Sequence, residues 1–75
     1  LILSVEASGN LAVVRTPPGG AQLLASSLDH SGISEIIGTI AGDDTVLVVS
    51  RKASGGAQLA RELLAYGGIK RRGSK

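Results

Sequence analysis

The pentapeptide Gly-Gly-Ala-Gln-Leu occurs twice in this chain, at residues 19–23 and 55–59. Each copy follows two strand-like segments and opens a helix-like one, so the order reads strand-strand-helix, twice. In residues 1–7, Leu1, Leu3, Val5 and Ala7 share one face, with Ser4 and Glu6 opposite. That is the period-two pattern of a strand. Ser8-Gly9-Asn10 is a turn cluster, residues 11–16 form a second strand, and the two make a hairpin ended by Pro17-Pro18-Gly19-Gly20. Ala21, Leu24, Ala25 and Leu28 then fall at helical spacing, which predicts one apolar helix face running to about Asp29. Residues 34–41 and 45–50 read as a third and a fourth strand. Ser54 is a candidate N-cap for a last helix over residues 55–66, with Ala57, Ala60, Leu63 and Leu64 as its inner stripe and Gly67-Gly68 as its end. The repeat is either an internal duplication or a coincidence in a chain rich in Gly, Ala and Leu, and the sequence leaves both open.

This order predicts an α+β fold, a two-layer sandwich of one four-stranded antiparallel sheet with two helices on one face, ββαββα. Two helices leave the other sheet face bare. Val46-Leu47-Val48-Val49 is apolar at every position, as in a strand buried on both faces. A second copy of the chain is the expected cover. Composition points the same way. The chain has 75 residues, no Cys, Met, Trp or Phe, and Tyr66 as its single aromatic. A domain of this size buries only about 60–65% of the surface its unfolded chain exposes. With no disulfide and no zinc pattern, oligomerisation is the remaining staple.

The net charge is +2, with Lys70, Arg71, Arg72 and Lys75 crowded at one end. The expected organisation is one domain over residues 1–69 and a basic, disordered tail over 70–75. No aromatics interleave with those charges, so a base-stacking surface is not expected. No apolar run reaches the ~18 residues of a membrane span. The lack of cysteine fits a cytoplasmic protein. The chain opens inside a strand and without Met, as a domain of a longer protein would.

Catalysis has little to work with. His30 is the only His and sits near a helix end, where it suits the C-terminal carbonyls. Without a second His or a Cys, no usual transition-metal site can form. Gly19-Gly20 precedes a helix but lacks the Lys and Ser/Thr of a phosphate-binding loop. The chemistry concentrates instead at Asp43-Asp44, two adjacent carboxylates at a turn between apolar runs. One reading is a plain hairpin turn, since Asp bonds backbone N–H groups there. The other is a cation site, because paired carboxylates gain from a cation. Mg²⁺ or Ca²⁺ wants more oxygens than this turn offers. A guanidinium wants one planar carboxylate that accepts two parallel N–H bonds. Gln22 and Asp29 lie seven residues apart, on one face of the predicted helix. Their amide and carboxylate complement an amino acid's α-carboxylate and α-ammonium, or simply face water at a helix edge.

Three blocks carry a family resemblance: residues 16–25, Leu28-Asp29, and Gly38-Thr39-Ile40-Ala41-Gly42-Asp43-Asp44-Thr45. They closely resemble the C-terminal domain of bacterial arginine repressors; the third block is the most specific, and Gly20 stands where many relatives carry Ala. The resemblance implies an effector-binding and hexamerisation domain of a repressor of arginine metabolism. It implies trimers stacked in pairs into a homo-hexamer, with L-arginine as co-repressor at the trimer–trimer interface and no further cofactor. Gln22, Asp29, Thr39 and Ala41 would hold the amino-acid end of the ligand. Asp43 would pair with the guanidinium of an arginine held mainly by an opposing subunit, and Asp44 would help to orient it. Operator DNA would be read only by a separate N-terminal winged-helix domain. Two other classes stay in play: a small pterin-dehydratase-like enzyme domain, which would need clustered His residues, and a purely structural assembly module.

Overall fold

A computed structural model describes residues 1–73, and the side chains of residues 1–66. The elements are β1 (Ser4–Ser8), β2 (Leu11–Arg15), α1 (Ala21–Asp29), β3 (Ile36–Ala41), β4 (Thr45–Ser50) and α2 (Gly56–Gly73). All neighbouring strands pair antiparallel, in the sheet order β1-β2-β4-β3. Helix α1 packs on β3 and β4, and α2 packs on β1, β2 and β4. This is the expected ββαββα two-layer α+β arrangement.

The core lies between the layers. Ala12, Val14, Val46 and Val48 face it from the central strands, and Ala21, Leu24, Ala25, Leu28, Leu59, Ala60 and Leu63 face it from the helices. The alternate strand residues Leu11, Val13, Leu47 and Val49 point to the opposite face and are only half-buried. Ile40, on the same outer side as its pairing partner Leu47, is 68% exposed. Within one chain, then, the apolar β4 run is covered on one face alone.

The two halves are topologically equivalent. Exchanging β1 with β3 and β2 with β4 returns the same sheet order, read from the other edge. Each helix starts on the hairpin turn of the other half: Gly19 and Ala21 donate to the Asp43 carbonyl, and Gly56 donates to the Gly9 carbonyl. β2 is followed directly by Thr16 and β4 ends at Ser50, both 3% exposed, with their hydroxyls bonded to the loop that follows. The repeated pentapeptide thus marks two equivalent structural roles.

Four local expectations need correction. Strand β1 begins at Ser4, not Leu1; Leu1 and Leu3 are 51% and 67% exposed, and Ile2 enters the core instead. The ladder ends there because its partner strand runs into Pro17-Pro18, which offer no N–H groups. In α2 the inner stripe is Leu59, Ala60 and Leu63, while Ala57 is exposed and Leu64 is 50% exposed. Docking of Gly56 on the first hairpin sets the helix phase, so positions 56, 59, 60 and 63 face inward at i, i+3, i+4 and i+7. Gly55, not Ser54, supplies the carbonyl that accepts the first helical bond, from Leu59 N at 3.0 Å. The helix also passes Gly67-Gly68 and runs to Gly73; glycine weakens a helix without forbidding it. The basic tail expected over residues 70–75 lies outside the described side chains.

The glycine at the start of α2 is a steric necessity. A Cβ on Gly56 would stand 2.4 Å from the Leu11 carbonyl oxygen and 2.7 Å from that of Gly9. Both are backbone atoms, so the helix or the hairpin must move. Gly56→Ala should lower stability by about 1–3 kcal/mol, the usual cost of overpacking. Urea unfolding of parent and variant checks this, as a fall in the midpoint at constant slope.

Candidate functional site

Helix α1 connects the two hairpins and packs on the second, β3 and β4. Pro17-Pro18 end β2, and Gly19 turns the chain at φ 81°, a conformation that only glycine adopts freely. Gly20 N then donates to Pro17 O at 2.9 Å, and the helix starts. At the other end His30 Nδ1 lies 2.8 Å from Ser26 O, and Ser31 Oγ donates to Leu28 O at 2.7 Å. The last carbonyls of α1 are satisfied in this way, and Gly32 at φ 77° reverses the chain towards β3. His30 has the helix-end role expected from its position, and the clustered His residues of a dehydratase-like site do not exist in this chain.

The short helix lies alongside the edge strand β3, and the candidate residues meet there. Thr39 Oγ1 donates to Asp29 Oδ1 at 3.0 Å. Gln22 Nε2 reaches Ala41 O at a long 3.5 Å. Both helix residues therefore face the same strand, as their spacing predicts. Beyond Ala41 the strand enters the turn Gly42-Asp43-Asp44, closed by Gly42 N donating to Thr45 O at 2.8 Å. Asp44 Oδ1 accepts the Thr45 hydroxyl at 2.9 Å. The Asp43 carboxylate is exposed and has no partner among the described residues.

The six candidate positions thus form one continuous row: Asp29, Thr39, Ala41 and Gln22 along the helix–strand seam, then Asp43 and Asp44 at its end. Gln22, Asp29, Asp43 and Asp44 are exposed, and Thr39 and Ala41 half-buried. The donor set divides in two. Asp29 keeps one carboxylate oxygen and Thr39 its lone pairs, which suit an ammonium; the Gln22 amide can donate to a carboxylate. Asp43 offers both oxygens to a planar cation. Among the described residues no group of three His, Cys, Asp or Glu could hold a metal ion.

A neighbouring feature was not legible in the sequence. An open hollow of about 300 Å³ lies beside Asp29, lined by Leu28, Gly32, Ile33, Ile36, Ile37 and Gly38. The register of β3 on β4 is irregular between Ile36 and Gly38, and Ile37 is left 55% exposed beside the hollow. The row has a floor but no opposite wall, so a ligand lying on it would keep one side in water.

The fold is thus a small two-layer α+β domain with a polar row along an open sheet edge. The chain matches the family model of the arginine repressor, C-terminal domain, over residues 1–65. It belongs to that family, which is one of transcription regulators with an arginine-binding and oligomerisation role, and not one of enzymes. Among the described residues no helix is long and apolar enough to cross a membrane.

Proposed function

We propose that this chain is the effector-binding and hexamerisation domain of an arginine-responsive, cytoplasmic transcriptional repressor of arginine metabolism. The observation that carries this reading is the row itself, with Asp29–Thr39 and Gln22–Ala41 ordered at one end and an unpaired Asp43 carboxylate at the other. Free L-arginine has the matching sequence of groups. Its α-ammonium and α-carboxylate suit Asp29, Thr39, Ala41 and Gln22, and a guanidinium suits Asp43. As the family resemblance implies, one arginine held mainly by an opposing subunit presents its guanidinium to Asp43, while Asp44 keeps the turn ordered through Thr45.

The family resemblance implies trimers stacked in pairs, and the chain offers two separate surfaces for them. The outer sheet face carries Leu11, Val13, Leu47, Val49 and Ile40, and a second copy covers it in a trimer. Two trimers then close over the open row, with arginine between them. A ligand shared by two subunits favours the assembled state, and the assembled state favours the ligand. Arginine concentration thereby sets the hexamer population, and through it the affinity of N-terminal winged-helix domains for operator DNA.

Calorimetry with arginine, lysine and citrulline tests the site. Arginine should bind, lysine more weakly because an ammonium cannot form the planar fork. Citrulline, nearly the same shape without the charge, should bind far worse, with a loss of about 2–5 kcal/mol. Equal binding of arginine and citrulline would exclude a charge-paired guanidinium. Indifference to all three would leave only a structural assembly module.

A further inference from the structure

The acidic turn is held by a loop from another part of the chain. Gly19 N and Ala21 N both donate to the Asp43 carbonyl, at 3.1 and 3.2 Å, and Thr16 N donates to the Asp44 carbonyl at 2.8 Å. Three amides thus fix the backbone under two carboxylates, while the Asp43 oxygens stay open. A carboxylate on a clamped backbone keeps its direction, and a two-bond fork depends on direction.

The three donors converge because the chain folds back at Gly19, whose φ is 81° and whose missing Cβ would meet nothing within 4 Å. A side chain there would cost conformational energy without any clash. The other half of the fold contains the natural comparison. Gly56 N donates to the Gly9 carbonyl at 2.9 Å, and Gly9 has φ 57° with equally open space around it. That turn continues into Asn10 and carries no carboxylate. The docking contact occurs twice, but the left-handed glycine lies in the donating loop in one copy and in the accepting turn in the other, and only the first copy sits under an acid pair.

We propose that Gly19 is a positioning residue for arginine recognition: its left-handed backbone sets the loop whose amides aim Asp43. This rests on the arginine site proposed above. If the loop shifts, the Asp43 carboxylate turns and one bond of the fork is lost. Affinity then falls together with the preference for a charged, planar head group. A glycine needed only for folding would lower stability and leave that preference alone.

The test compares the parent chain with Gly19→Ala and Gly9→Ala, by arginine and citrulline titration and by thermal melts. Both variants should lose similar stability. Gly19→Ala should bind arginine about tenfold more weakly, with a reduced arginine-to-citrulline ratio, and Gly9→Ala should match the parent in both. A chain synthesised with D-alanine at position 19, which favours positive φ, should bind like the parent. Amide hydrogen exchange on the parent adds a measurement that depends on no variant's folding. Saturating arginine should slow exchange at Gly19 and Ala21 and leave Gly56 unchanged. Parent-like affinity and selectivity in Gly19→Ala, or exchange at Gly19 and Ala21 that ignores arginine, would overturn the positioning role while leaving the site standing. Failure of the parent chain to bind arginine would overturn the site itself, and the positioning role with it.

Discussion

Asp43→Asn should leave the chain folded and able to form trimers, yet nearly blind to arginine. The substitution keeps the size of the side chain. It removes the charge and turns one acceptor into a donor that faces the guanidinium N–H groups. The backbone bonds that hold the turn use the Asp43 and Asp44 carbonyls, so they survive. The expected loss is about 2–5 kcal/mol of ligand binding, the range for a desolvated charge pair deprived of one partner. Arginine-dependent stabilisation of the hexamer should vanish with it. Asp44→Asn should be milder, because an amide oxygen can still accept the Thr45 hydroxyl that Asp44 Oδ1 accepts at 2.9 Å. Paired titration and sedimentation of both variants, with and without arginine, decide the matter. Parent-like binding by Asp43→Asn would return the turn to a purely structural role.

Leu47→Lys should break the assembly. Leu47 sits at the centre of the outer sheet face, opposite Val13 on β2 and Ile40 on β3. A single chain leaves it half-buried, so a lysine there keeps its ammonium in water and spares the core between the layers. In an assembly that covers the face, the same ammonium loses its hydration without a partner, a cost of several kcal/mol. Sedimentation at micromolar concentration should then show species falling towards the 7.5 kDa of one chain. Arginine binding should weaken in parallel, since the ligand row has no opposite wall within one chain. An intact assembly of Leu47→Lys would show that this face is not where copies meet.

Much of the fold was readable from local signals. The alternating strands, the turn clusters and the i, i+3, i+4, i+7 pattern of Ala21, Leu24, Ala25 and Leu28 each report one period, and a period is a property of neighbouring residues. Helix α1 and strand β4 match their expected spans for that reason. The misreadings fall where a distant contact overrides the local pattern. Leu1 and Leu3 alternate as a strand should, but the ladder they need stops at Pro17-Pro18. Ala57 and Leu64 fit a helix stripe, but the contact of Gly56 with the first hairpin turns α2 to another phase.

The candidate site divides the same way. Sequence alone determined which groups are present: adjacent carboxylates at Asp43 and Asp44, an amide at Gln22, a carboxylate at Asp29, and small residues between. It could not determine that these groups share one surface, because Thr39 meets Asp29, and Gln22 meets Ala41, across separate elements. Nor could the residues alone separate Asp43 from Asp44, which only the family resemblance told apart. That distinction is made by Thr45, which takes up one carboxylate, and by the amides of Gly19 and Ala21, which hold the Asp43 carbonyl and leave its carboxylate open. Hydrogen-bond direction between segments far apart in sequence is settled only when packing brings their backbones together. The residues supplied the groups, and the tertiary structure decided which of them share a surface.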